Sequence, residues 1–276
     1  MKILQSDRLE EQQKNAQGAM SIFHPTSRIH DKEVFNISIL VKNKLENDYP
    51  KLKFRYRREL FKTEINESLK KIDSCLGGTI YVENSKIKPD GGILEVLDDN
   101  GKWRVVLVSE AKYQGKDIEN IKKGKLVGKF NDQDCMVAGN AIEWAYKNLN
   151  EIANYMLSEI YFPYIIFLEG SNFLTQDVSV KRPDGREVVL HYNDGMINRL
   201  DRLTSANYGM PFNTNLCENK FVKVNGFSIM LQSASIYTKG NGDNWTENEI
   251  IEIMLDVAKT ALKLLAKDLF LQITAK

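Results

Sequence analysis

The chain has 276 residues, 42% hydrophobic and 27% charged, a mixture too apolar for a disordered segment and long enough to bury one large or two small cores. Its 38 lysines and arginines against 37 aspartates and glutamates leave a net charge of +1, so a polyanionic partner would have to be met by a local basic patch and not by bulk charge. Cys75, Cys135 and Cys217 lie far apart with no C-x-x-C, which argues against a disulfide framework and a structural zinc site and fits a reducing cytoplasm.

The amino terminus turns polar within a few residues and no run approaches membrane-spanning length, so neither export nor membrane association is expected. Val34, Ile37, Val41 and Leu45 recur at helical spacing and predict an amphipathic helix from Asp31 to Pro50. A second helix follows from Lys62, with Ile65, Leu69, Ile72 and Leu76 as its buried face and Gly77-Gly78 as its stop. Three β-branched runs, "TIYV", "GILEVL" and "KWRVVLVSEAK", then predict strands at the centre of a sheet, the last two joined at Asn100-Gly101 by a type I′ turn. Asp132 to Phe162 reads as one long or two consecutive helices, interrupted at Gly139. "YIIFLEG", from Tyr164, suits a strand buried on both faces, and "VSVKRPDGREVVLHY" reads as a hairpin with Pro183-Asp184-Gly185 at its tip. "FSIMLQSASIYT" adds one more strand, and Thr246 with Glu249 forms a capping box for a last helix facing the core through Ile250, Met254, Val257, Ala261 and Leu265. No linker-like stretch divides the chain, so residues 1–276 are read as one α/β domain with a mixed central β-sheet flanked by helices.

Pro-Asp-Gly occurs twice, and each copy is a turn signal by itself. The first, at Asp90, leads into "GILEVL", and the strand that returns carries "SEAK". Alternation along a strand puts Glu110 and Lys112 on one face, with Val106 and Val108 before them and Val105, Leu107 and Ala111 on the other. A hairpin can thus gather two carboxylates and an ammonium at one end of a sheet. Oxygen donors of this kind suit Mg²⁺ beside a phosphate, and phosphodiester hydrolysis is the chemistry that uses them. The bland alternative is a turn aspartate plus an exposed ion pair on a strand, and Asp-x₁₉-Glu-x-Lys as spacing alone recurs by chance. After Asp184 no E-x-K follows, so the second copy is a hairpin tip. Basic segments at Lys51–Lys62, Tyr113–Lys129 and around Arg199 and Arg202 could follow nucleic acid. Only Glu59 opposes the first of these in sequence, and a solvated helix approach reads it as well. No P-loop, serine-nucleophile elbow or histidine cluster is present.

Taken in order, "FRYR", "KTEINE", "LGGT", "IKPDGGI", "WRVVLV", "EAK", "GNAIE", "FLEGSNFLT", "RPDGR", "NRLDRLT" and "ANYGMP" resemble the EcoRI family of type II restriction endonucleases, from about Asp7 to the carboxyl end. The resemblance implies a restriction-endonuclease-like (PD-(D/E)XK) fold and a bacterial cytoplasmic homodimer. It implies Mg²⁺-dependent cutting of palindromic double-stranded DNA to 5′-phosphate and 3′-hydroxyl ends. Within the one domain it assigns a catalytic hairpin at about 79–112, a recognition segment at about 131–161 and an arm hairpin at about 176–192. It makes Asp90 and Glu110 the metal-binding acids, with the Ala111 carbonyl as a further ligand and Lys112 as the motif lysine. Met136 and Ala141 would touch pyrimidines, the Ala138 carbonyl would face cytosine and Asn140 would bond adenine. Glu143 would support that network, and Arg202, with Arg199 beside it, would read guanine. Lys88, Arg57, Lys116, Lys147 and Asn148 would contact or position phosphates. Three departures stand out: Trp144 in place of an arginine, Tyr113 of a histidine and His191 of a glutamate. A site related to GAATTC is expected. The alternative that Trp144 raises is a DNA-binding protein with impaired or altered cleavage. A third reading is an α/β binding module with a structural cation.

Overall fold

The computed structural model describes residues 25–78, 81, 84–125, 139–159, 161–192, 220–231 and 234–265. Helix α1 (Pro25–Asp48) precedes β1 (Phe54–Arg57), β2 (Leu60–Phe61) and α2 (Lys62–Ile72). After β3 (Lys86–Ile87) come the long pair β4 (Gly92–Leu97) and β5 (Trp103–Tyr113), then α3 (Asp117–Lys122) and α4 (Gly139–Tyr155). Strand β6 (Tyr164–Glu169) is followed by the arm β7 (Val178–Lys181) and β8 (Glu187–Leu190). The ribbon β9 (Lys220–Val224) and β10 (Phe227–Leu231) leads to β11 (Ala234–Thr238) and α5 (Glu247–Leu265).

Five strands form the central sheet in the order β1-β4-β5-β6-β11. The first three run antiparallel, and β5, β6 and β11 run parallel. Strand β5 is therefore central, as its place among the three successive strand runs predicts, and Val105 to Ala111 are all buried. Helices α1 and α5 pack against each other and on β5. Val34, Ile37, Val41 and Leu45 of α1 and Ile250, Met254, Val257 and Ala261 of α5 are buried there, the faces that helical spacing marks. Ser38 of α1 meets Ser109 of β5 with oxygens 3.3 Å apart. On the other face α4 approaches Glu110, and α2 packs on α4, where the Ser68 hydroxyl donates to the Tyr155 carbonyl at 2.9 Å. The helices that the alternation of elements puts around the sheet are thus present, one layer on each face.

Four local expectations are corrected. Helix α2 stops at Ile72, ahead of the Gly77-Gly78 signal, so Ile72 and Leu76 are exposed while Ile65 and Leu69 are buried. The β4–β5 turn is made by Asp98, whose Oδ1 accepts the N–H groups of Asn100 (3.0 Å) and Lys102 (2.8 Å). Only Gly101 takes a positive φ there, so it is a longer loop ending in a left-handed glycine and not a type I′ turn. The two-residue turn with both φ positive is Asn225-Gly226 (50° and 85°), which folds β10 onto β9. That hairpin gives Phe227–Leu231 a partner outside the central sheet, so "FSIMLQSASIYT" is two strands in two sheets. Finally, the β4–β5 register slips between Leu94 and Glu95, pairing Leu94 with Leu107 but Glu95 with Val105. A bulge resets side-chain alternation, and Val105 stands across from Glu95 instead of on the opposite face from Val108.

The expected strand at "TIYV" lies largely outside the described residues. No helix among the described residues is long and apolar enough to cross a membrane.

Candidate active site

Chain direction reverses at Pro89-Asp90-Gly91-Gly92, where the Gly92 N–H bonds the Pro89 carbonyl at 2.9 Å and the Gly91 N–H bonds the Ser109 carbonyl at 3.0 Å. Both glycines are required by contact. A Cβ on Gly91 would sit 2.0 Å from the Ser109 hydroxyl oxygen, and one on Gly92, at φ +76°, would enter the Tyr56 ring. The turn therefore lies flush on β5, and the Asp90 carboxylate lands over Ala111 and Lys112. The Lys112 ammonium donates to Asp90 Oδ2 and stands 2.6 Å from Glu110 Oε1. The two carboxylates thus lie within two hydrogen-bond lengths of each other, around one cation.

Glu110 is fully buried. Asn148 of α4 donates from Nδ2 to Oε1 at 3.1 Å and to Oε2 at 3.3 Å, and the Tyr164 hydroxyl of β6 donates to Oε2 at 3.3 Å. Burial, aided by the Asp90 charge, lifts the Glu110 carboxyl to about 7, while Lys112 and the Asn148 bond act in the opposite sense. Burial by itself would lower the Lys112 ammonium, but the Glu110 and Asp90 carboxylates outweigh it and hold that group above its ordinary value. Burial, with the Glu110 charge beside it, keeps the Tyr164 phenol well above its usual range, so it remains a donor. The exposed ion pair of the bland reading is excluded: Glu110 is fully buried, Asp90 and Lys112 are partly so, and the cluster is stitched to two further elements.

The other expected site residues are dispersed. Asn140 and Ala141 lie in the first turn of α4. Met136, Ala138, Arg199 and Arg202 lie outside the described residues. Glu143 and Lys147 are exposed on α4, Trp144 is 63% exposed, and the Lys147 ammonium stands 5.3 Å from its ring centre. Lys88 is exposed and 3.3 Å from Glu59. Lys116 lines a cleft of about 110 Å³ with Tyr113, Glu119 and Ser171. The Tyr113 hydroxyl donates to Glu119 at 3.1 Å, and His191 Nδ1 lies 3.0 Å from Asp177 on the arm hairpin. Asp184, at the arm's tip, is spent on the backbone and guanidinium of Arg186, as a turn aspartate should be.

Two assignments shift. The basic stretch at Lys51–Lys62 is opposed by more than Glu59. Arg55 Nε holds the buried Glu95 at 2.5 Å, and Arg57 holds Glu64 at 2.7 Å with Glu95 at 3.6 Å. Asn148, expected at a phosphate, is engaged with Glu110. Tyr164 carries a signal in the sequence that the motif reading passes over. It supplies the only side-chain polar group of β6 before Glu169, and a buried phenol needs a partner.

The EcoRI restriction endonuclease family model matches residues 16–272. The chain belongs to the EcoRI family. It is 62% identical over 272 residues to the type II restriction enzyme EcoRI of Escherichia coli, covering 99% of this chain and 98% of that one. It is 47% identical over 265 residues to the type II restriction enzyme RsrI of Cereibacter sphaeroides, covering 96% and 95%. The mixed five-stranded sheet between helices is thus the restriction-endonuclease-like fold, and the chain is a type II restriction enzyme of the EcoRI family.

Proposed function

We propose that this family member is a Mg²⁺-dependent, sequence-specific endonuclease for double-stranded DNA. It acts as a homodimer in the bacterial cytoplasm on a palindromic site related to GAATTC and leaves 5′-phosphate and 3′-hydroxyl ends. The observation that carries the reading is the Asp90–Lys112–Glu110 group, closed around a fully buried Glu110. Two close carboxylates with an ammonium between them are costly to bury and serve no packing need.

The donor set fits the cation. Among the described residues no group of three or more His, Cys, Asp or Glu could hold a metal, and at the Asp90–Lys112–Glu110 group the acids that meet are two. Mg²⁺ takes one or two carboxylates and fills its remaining positions with water and phosphate oxygens, whereas a zinc site would ask for more protein ligands. Asp90 and Glu110, with the Ala111 carbonyl, would hold it; when bound, it supplies positive charge at the scissile phosphate and acidifies a water. Lys112, charged throughout the working pH range, donates to the phosphate oxygens as negative charge develops. Asn140, Arg199 and Arg202 suit direct readout, an amide for adenine and guanidinium groups for guanine, with Met136, Ala138, Ala141 and Glu143 alongside. Lys88, Lys116 and Lys147 suit phosphates, whereas Arg57 is committed to Glu64. A two-fold protein presents one such site to each strand of a palindrome.

The test is plasmid DNA of known sequence, incubated with the protein and Mg²⁺, followed by sequencing of the fragment ends. Discrete ends at GAATTC or a relative of it, absent with Asp90→Ala, are expected. Intact plasmid that is nonetheless retarded on a gel would favour binding without cleavage, the reading that Trp144 raises. Light scattering on the eluted protein checks the dimer.

A further inference from the structure

Glu110 is held by more than its own strand. Lys112 reaches Oε1 from two residues along β5, but the other donors come from elsewhere: Asn148 on α4 bridges Oε1 and Oε2, and Tyr164 on β6 reaches Oε2. The parallel register sets Tyr164 across from Val108 and Ile166 across from Glu110, so the phenol lies diagonally beside the carboxylate on the same face. Its ring is fully buried and stacked on Phe162 at 5.7 Å, which leaves the hydroxyl little freedom. Nearby Tyr161 is equally buried, but its hydroxyl donates to a backbone carbonyl, that of Val105, at 2.6 Å. A phenylalanine would fill the Tyr164 site without the cost of burying a hydroxyl. Packing does not explain the oxygen.

We propose that Tyr164 and Asn148 are positioning residues that fix the Glu110 carboxylate, one donor from the sheet and one from the helix. The proposal rests on the reading of Glu110 as a cation ligand. With Asn148 bridging both oxygens and Tyr164 holding Oε2, the plane of the carboxylate is set and Oε1 is turned toward Lys112. Partners of this kind orient a ligating acid before the cation arrives, and their removal weakens metal affinity and turnover together. Asn148 is on this account a support for Glu110 and not a phosphate contact.

The experiment uses the full chain with Tyr164→Phe and Asn148→Ala. Three quantities are measured: DNA affinity without divalent metal by fluorescence anisotropy, Mn²⁺ affinity of the enzyme–DNA complex from the free-ion EPR signal, and kcat with KM for cleavage. Mn²⁺ affinity and kcat should each fall about tenfold to a hundredfold in either variant, with DNA affinity and KM within about twofold of the parent, a pattern that general loosening of the fold would not give. Wild-type Mn²⁺ affinity and kcat in Tyr164→Phe would overturn the proposal, as would an Asn148→Ala variant whose chief loss is DNA affinity. If Tyr164→Phe fails to fold by circular dichroism, the partly exposed Asn148→Ala decides by the same criteria. Glu110→Gln, run alongside, must lose Mn²⁺ binding. If it does not, the ligand role of Glu110 has failed independently of its supports.

Discussion

The burial of Glu110 makes a sharp prediction for the protein in EDTA. Its carboxyl is raised from 4.5 to about 7, chiefly by burial. A group whose folded pKa exceeds its unfolded value binds more protons when folded across that window. Its contribution to stability therefore falls as pH rises from about 4.5 to about 7 and stays low above it. At about 1.4 kcal/mol per unit, ionised Glu110 costs the fold about 3 kcal/mol at about pH 8. Glu110→Gln removes that charge at constant shape. The amide oxygen can accept from Lys112 and Asn148, the longer Asn148 contact to Oε2 is given up, and the NH₂ group faces Tyr164, whose hydroxyl can rotate to accept. The variant should be more stable than the parent by about 2–3 kcal/mol at about pH 8, with a gain that vanishes toward about pH 5. Cleavage should be lost at the same time. Urea titrations at the two pH values measure the difference. No gain at the higher pH, or an equal gain at both, would refute the assignment of the cost to this charge.

Lys112→Met leaves the buried carboxylates without their cation and should cost about 3–5 kcal/mol at about pH 8; the loss should shrink in acid, as Glu110 takes up a proton, in the same titrations. Gly92→Ala places a methyl group in the Tyr56 ring at a positive φ and should destabilise by about 2–4 kcal/mol by chemical denaturation, lowering activity in proportion to the folded fraction. Burial lifts the Glu169 carboxyl to about 7, against the bond it accepts from the Trp245 backbone N–H at 2.7 Å. This residue too should make stability fall as pH climbs toward about 7, and Glu169→Gln should flatten that slope in melts across the range. Trp144→Ala, at a site 63% exposed, should change stability by no more than about 0.5 kcal/mol; any altered site preference, read by sequencing cut ends, then reports the DNA interface and not the fold.

The amino-acid sequence by itself determined the helical faces of α1 and α5, the two-sided burial of β6, the arm hairpin and the common face of Glu110 and Lys112. Each depends on periodicity or turn chemistry within a dozen residues. It also carried the family, through motifs spread along the whole chain. The tertiary structure alone decided where Phe227–Leu231 finds its partner and that the β4–β5 register slips. It decided too that Arg55 is held by Glu95 and Arg57 by Glu64, that Ile72 and Leu76 meet solvent, and that Tyr164 and Asn148 close on Glu110. The reason is one of range. A side chain's direction follows from its immediate neighbours along the chain, whereas its partner is fixed by the packing of segments far apart in sequence. The charge of Glu110 is written in its residue type, but its elevated pKa exists only once β4, β5, β6 and α4 have closed around it.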